Sequence, residues 1–252
     1  MNGLTDALVT GYLMEPPVIE PVQSRPRLEG ELKVVFVLPE EVNEQGRPIG
    51  GQLREAIVRV EGRHAQRVAE AELEQGSAIQ FHIRDMRVEA WLWKRRPYHK
   101  LVIKTDLDQD ITFPVRSMRS AVRLNGFGKA VVTGHLEKDA EVKPAKNGRM
   151  AWTALRVAVP ISPHVDLEGE HVDGGHRFVT VKVFGRQAER VAEIAPRRLD
   201  HVRVEPFDIR PRSWTGLDPE TERMRAYGTV ELIPGRGERA VVFTPSPLTT
   251  CG

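Results

Sequence analysis

One internal repeat decides most of what this chain can fold into. The stretch Val181 to Glu193 (VKVFGRQAERVAE) restates Val58 to Glu70 (VRVEGRHAQRVAE) at ten of thirteen positions by identity or type, with Gly185 following Gly62 by 123 residues. The same offset joins Asn2-Gly3 to Asn125-Gly126, Ala7–Leu13 to Ala130–Leu136, Leu32 to Leu155, and Trp91 to Trp214. A long, nearly gapless period is the mark of a duplicated domain rather than of a solenoid unit. The chain reads as two copies of one fold.

Length agrees, since 252 residues give each copy enough chain to bury its own core. Charge is close to balance, with 37 Lys+Arg against 35 Asp+Glu, so any basic surface must be local. Cys251 is the sole cysteine, which excludes a disulfide framework and a cysteine metal site and fits a reducing compartment. The N-terminus lacks a signal-peptide pattern, and no apolar run has the length of a membrane span. A soluble, cytoplasmic protein is expected.

In copy one, strands are expected over 6–13, 28–38 and 55–61. A proline-rich stretch (15–27) and a polar loop (40–52) separate them. From Arg63 to Leu73 the apolar period becomes helical, through Ala65, Val68, Ala69 and Leu73, and Gly76 is positioned to end the helix. Strands over 78–93 and 99–105 follow, joined by the basic tip Lys94-Arg95-Arg96-Pro97. Copy two repeats this order with strands over 131–136, 151–159, 178–184, 202–214 and 227–233. Its helix starts near Arg186 and is cut by Pro196, and its last hairpin tip is six residues longer, Tyr227 following Tyr98 by 129. Three strands, a helix and a hairpin is the order of an OB-fold; a small α+β sandwich is the alternative. The expected units are OB-fold 1 (1–106), a linker (107–123), OB-fold 2 (124–243) and a mobile tail (244–252).

Strand three of copy two carries the sharpest functional signal. Alternation sends Val179, Val181 and Val183 to the core and Phe178, Thr180, Lys182 and Phe184 to the outside. Two outward rings flanking a cation suit unpaired bases and a phosphate; packing beneath the 160–175 loop or against a second subunit is the plainer reading. Strand four adds Arg210, Arg212 and Trp214 at every second residue. Copy one offers Trp91 and Trp93 in the same way, then Lys94, Arg95, Arg96 and Tyr98. Either Trp91 or Trp93 packed into the barrel would be ordinary, and a charge run is most often a solvated tip. Trp152 shares the outer set with Ala154 and Arg156, with binding and packing both open. In copy one, Glu55 and Glu61 stand where copy two has Phe178 and Phe184. Carboxylates repel phosphate, so copy two is expected to bind across its strand face, copy one mainly through its hairpin.

No catalytic constellation is present: no His-Glu-x-x-His, no phosphate-binding glycine-lysine loop, no Gly-x-Ser-x-Gly. His164, His171 and His176 share a loop without supporting carboxylate spacing. No enzyme activity, cofactor or metal is expected.

Several segments together resemble the bacterial single-stranded DNA-binding protein family, in the form with two OB-folds per chain. Thr133 to Val142 resembles its Gly-x-Leu-x-x-Asp-Pro-Glu-Val opening, with Ala140 in place of the proline. Asn147-Gly148 with Leu155, Val157, Ala158 and Val159 resembles its second strand. Phe178 to Arg186 resembles its aromatic-His-Arg-Val-x-x-Phe-Gly-Lys strand and turn, which brings Arg186 into the candidate set. Arg210 to Trp214 and Arg223 to Tyr227 resemble its Arg-x-Arg-x-Trp hairpin. The resemblance implies sequence-independent single-stranded DNA binding, stacking at Phe178, Phe184, Trp214 and by the repeat Trp91, a homodimer supplying four OB-folds, and work in replication, repair or recombination near the nucleoid. The chain departs from the family at its end, Ser246 to Gly252, which lacks the acidic tail through which members recruit enzymes; a specialised paralogue is therefore as natural an expectation as a housekeeping protein. A protein–protein adaptor of the same ancestry and an RNA-binding OB protein are the other readings.

Overall fold

The computed structural model describes residues 3–4, 7–22, 27–38, 41–42, 48–49, 51–115, 126–146, 150–165, 171–237 and 239–246. In copy one, β1 (Leu8–Leu13), β2 (Leu28–Val37), β3 (Leu53–Glu61), α1 (Arg63–Glu70), β4 (Ala78–Trp93) and β5 (Arg96–Thr105) follow in sequence. Their spatial order is β1-β4-β5-β3-β2, and Tyr12 paired with Val35 closes the sheet on itself. Only the β3–β5 pairing among these is parallel. A closed five-stranded barrel with its helix between strands three and four is an OB-fold.

Copy two builds the same barrel from β6 (Val132–Leu136), β7 (Trp152–Ile161), β8 (Gly175–Phe184), α2 (Arg186–Ile194), β9 (His201–Val204), β10 (Pro206–Leu217) and β11 (Met224–Pro234), with β12 (Val241–Thr244) added beside β9. Strand four, expected unbroken over 202–214, is divided into β9 and β10 at Glu205. The Glu205 backbone instead bonds Ala240 O at 2.8 Å and Gly235 N at 3.0 Å. Alternate residues of the strands fill the core, among them Val58 and Val60 in β3 and Val179, Val181 and Val183 in β8. The helices add Ala65 and Val68, and Ala188 and Val191. Each helix is entered through a glycine at positive φ, Gly62 at 54° and Gly185 at 57°, a backbone region that favours glycine. Helix α1 ends at Glu70, earlier than expected; Gly76, at φ 86°, serves the turn into β4, its N–H bonding Leu13 O at 2.8 Å.

The duplication extends to fine detail. The bulge in β4 between Ile83 and Asp85 recurs 123 residues on, between Pro206 and Asp208 in β10. The two-residue ribbon of Glu41–Val42 with Pro48–Ile49 recurs as His164–Val165 with His171–Val172. The segment after strand five folds back along strand four in both copies: Thr112 bridges Gln80, and Val242 pairs with Arg203. Residues 107–113 are thus built into barrel one. His64 Nε2 lies 2.9 Å from Gln109 O, Arg67 pairs with Asp110 at 3.1 Å, and Ile111 is fully buried. Residues 116–123 of the expected linker, and 247–252 of the expected tail, lie outside the described residues. Thr244 is instead paired with His201, and Ser246 N bonds Asp200 Oδ1 at 2.9 Å.

The two barrels exchange matching segments about a pseudo-two-fold axis. Gly3 N bonds Pro160 O at 2.7 Å, and Thr133 N bonds Gly3 O at 2.8 Å. Shifted by the repeat, Gly126 N bonds Val37 O at 2.9 Å, and Thr10 N bonds Gly126 O at 3.0 Å. Each copy's leading segment therefore lies on the other copy's barrel, burying Leu4 in one direction and Phe127 in the other. Phe127 stacks on Phe36 with centroids 4.9 Å apart.

The hairpins of strands four and five also pack on each other. A Cβ at Gly228 would stand 2.5 Å from Val88 Cγ1, and His99 Nδ1 is 2.7 Å from Ser213 Oγ. Two bidentate ion pairs flank this seam. Arg54 grips Asp208 at 3.0 and 2.8 Å, and Arg177 grips Asp85 at 2.7 and 2.8 Å. Arg177 is Arg54 plus 123, and Asp208 is Asp85 plus 123, so one interaction is made twice in opposite directions. Reciprocal contact of this kind is the property of an isologous dimer interface, here within a single chain.

Candidate nucleic-acid interface

The outer face of barrel two is set by β8. Its valines fill the core, which leaves Phe178 at 46% and Phe184 at 44% exposed. In register with them on β7, Ala158 faces Phe178 and Trp152 faces Phe184. Trp152 therefore belongs to the outer face, half-buried beside Phe184, with Lys143 Nζ 4.7 Å from its ring. The Arg156 guanidinium lies 4.8 Å from the Phe178 ring. Arg156 and Lys143 were absent from the sequence-derived set, although alternation along β7 already placed Arg156 outward.

Strands β10 and β11 carry the face onto the long hairpin. Trp214, 49% exposed, pairs in register with Tyr227, and the rings stack at 6.1 Å and 20°. The Arg225 guanidinium lies 6.0 Å from the centre of the Tyr227 ring, and Leu217 and Met224 are exposed toward the tip. Asp218 orders that tip by accepting from the backbone N–H groups of Glu220 and Thr221 at 3.0 and 3.1 Å. Arg186 is exposed in the first turn of α2. Arg210 stands apart from the others, because its guanidinium is drawn onto buried Asp208 at the barrel seam. Arg212 and Lys182 both turn to Glu231, at 2.9 and 2.7 Å.

Copy one repeats the hairpin but not the strand face. Trp91 stacks on Tyr98 at 6.3 Å and 21°, the counterpart of Trp214 on Tyr227. Trp93 is exposed, and Lys94 Nζ lies 6.0 Å from its ring. Neither tryptophan is packed into the barrel. The tip is a two-residue turn in which Lys94 and Arg95 take φ of 48° and 64°, conformations usually left to Asn-Gly. Two cations held there at a cost of roughly 1 kcal/mol or more each place charge beside the tryptophans, and Arg96 begins β5 next to them.

On β3, Glu55 is exposed and Glu61 half-buried, 3.7 Å from Arg27. Arg59, the counterpart of Lys182, is clasped by Glu31 at 2.8 Å and Glu89 at 2.9 Å. Glu89 also takes Arg87 at 2.8 Å and Lys100 at 3.2 Å. Burial alone would raise the Glu89 pKa; the bonds from Arg87 and Lys100 and the charge of Arg59 outweigh it and hold the carboxyl at about 2. Positive charge on this face is neutralised from within.

Among the described residues, no group of three His, Cys, Asp or Glu side chains is placed to hold a metal ion, and no helix is long and apolar enough to cross a membrane.

No protein-family profile and no curated protein sequence matches the chain. Solved structures do. A deletion mutant of the single-stranded DNA binding protein from Thermus aquaticus superposes with a TM-score of 0.58 at 17% identity, covering 97% of this chain and 96% of that one. The wild-type protein from the same organism gives 0.56 at 17%, with 98% and 96% covered. The protein is a tandem OB-fold chain. Over nearly its full length, its architecture is that of the Thermus protein.

Proposed function

We propose that the chain binds single-stranded DNA without regard to sequence and without catalysis. The carrying observation is the outward row of rings: Phe178, Phe184 and Trp214 are each nearly half exposed while the valines between the phenylalanines are buried. Bases of any identity offer a π-face to such a row, and the cations among the rings answer the phosphates. The Trp91–Tyr98 hairpin, with Trp93, Lys94, Arg95 and Arg96, supplies a second stacking surface from copy one. The shared architecture with a single-stranded DNA binding protein supports the choice of ligand. Unpaired strands arise in replication, repair and recombination, which place the protein in the cytoplasm near the nucleoid; two chains would assemble four OB-folds.

The first barrel's strand face favours a different use. With Glu55 and Glu61 in place of the two rings and Arg59 and Lys100 held by Glu31 and Glu89, it suits protein contact better than base stacking. Titration with oligo-dT at several salt concentrations, read by tryptophan fluorescence, tests the function. Stacking is expected to quench strongly, and log K to fall with log salt at a slope near −0.7 per phosphate neutralised. A flat titration favours a protein adaptor instead; equal binding to oligo-U would extend the ligand to RNA.

A further inference from the structure

We propose that Glu231 is a resident competitor for phosphate, so that the strand face of barrel two engages single-stranded DNA only by displacing this carboxylate from Lys182 and Arg212. The inference rests on the single-stranded DNA reading and adds a residue that sets its strength. Glu231 lies in β11, opposite Thr180 of β8 and Arg210 of β10. It is therefore central on the outer face, between the Phe178–Phe184 row and the Arg212–Trp214 row. Although it points outward it is only 6% exposed, and both of its oxygens are engaged. One carboxylate oxygen takes Lys182 Nζ at 2.7 Å, and the other takes Arg212 Nε at 2.9 Å.

Two cations, one on each oxygen of a single anion, is also how the two non-bridging oxygens of a phosphodiester would be held. The carboxylate occupies the place a phosphate would take. Burial pushes the Glu231 pKa up, but the bonds from Lys182 and Arg212 outweigh it and keep the group ionised, so the competitor carries its charge at neutral pH.

Barrel one reaches the same result by another route. Val102 answers Glu231 there, and the cation equivalent to Lys182 is Arg59. Glu31 from β2 and Glu89 from β4 capture it instead. Both copies thus hold this cation on carboxylate, from different strands. DNA that displaces Glu231 leaves an uncompensated carboxylate against the phosphates, which limits affinity and hastens release.

The test is Glu231→Gln, an isosteric change that removes the charge, titrated with oligo-dT at several salt concentrations beside the unaltered protein. Removing one competing negative charge is expected to tighten binding about fivefold or more at 0.1 M salt and to steepen the salt slope by about 0.7, the change for one net charge. Adding Arg212→Ala removes one cation and is expected to return the extra slope. Should Glu231→Gln melt early, Glu231→Ala, titrated below its own melting transition, carries the same expectation. Unchanged or weaker binding by the variant overturns the competitor and leaves the DNA reading standing. Failure of both proteins to bind oligo-dT sinks the DNA reading and the competitor with it.

Discussion

Replacing Phe178 and Phe184 together by alanine is expected to weaken oligo-dT binding at least thirtyfold while leaving the barrel intact. A base stacked on an aromatic side chain contributes about 1–3 kcal/mol, so two rings account for roughly 2–6 kcal/mol, and every 1.4 kcal/mol is a factor of ten in Kd. Both side chains stand outside the core that Val179, Val181 and Val183 fill, so the melting temperature should move little. The matching pair in copy one supplies the control. Glu55→Ala with Glu61→Ala removes carboxylates from a face with no rings at those positions, and is expected to leave affinity unchanged or to raise it. Equal, negligible effects of the two double variants would remove the functional difference between the barrels.

The second large effect concerns the seam. Asp208→Ala is expected to destabilise the protein by about 3–5 kcal/mol, the usual consequence of removing one partner of a buried ion pair. Asp208 is completely buried, receives both donors of Arg54 from the opposite barrel, and also holds Arg210. Its loss leaves two guanidinium groups at the seam without their anion. For a protein of this size a fall of roughly 6–20 °C in Tm follows. Asp85→Ala is expected to cost less, because its partner Arg177 is the more exposed of the two arginines, at 41% against 22%. A melting curve that does not respond to Asp208→Ala would mean that the barrels are held by apolar packing and exchanged segments alone.

The repeat, the strand order and the outward placement of Phe178, Phe184, Trp91, Trp93 and Trp214 were legible in the sequence because alternation and spacing are backbone properties. The seam was not, yet its trace was present. Some charged positions on the strand faces diverged between the copies, Glu89 becoming Arg212 and Glu31 becoming Ala154, while Arg54 and Asp85 kept their identities as Arg177 and Asp208. A charge kept through duplication where its neighbours are not is a sign of a shared partner. That signal becomes readable only once the offset is applied to polar residues as well as apolar ones.

The capture of Lys182, Arg210 and Arg212 by carboxylates had no such trace. Glu231 lies 49 residues from Lys182 in sequence, and only the parallel pairing of β8 with β11 brings the two together. The end of α1 differs for a related reason: Gly76 has the residue type of a helix terminus, but its N–H is committed to Leu13 of the neighbouring strand β1. Tertiary hydrogen bonding, not local propensity, fixed both.

Photocrosslinking of oligo-dT to the intact chain, with adducts mapped by mass spectrometry, tests the central claim most directly. Adducts are expected at Phe178, Phe184 and Trp214 on the outer face of barrel two, with a further set at Trp91, Trp93 or Tyr98 on the first hairpin. Adducts confined to the β2–β3 face of barrel one, or none at a concentration that saturates the fluorescence change, would contradict it.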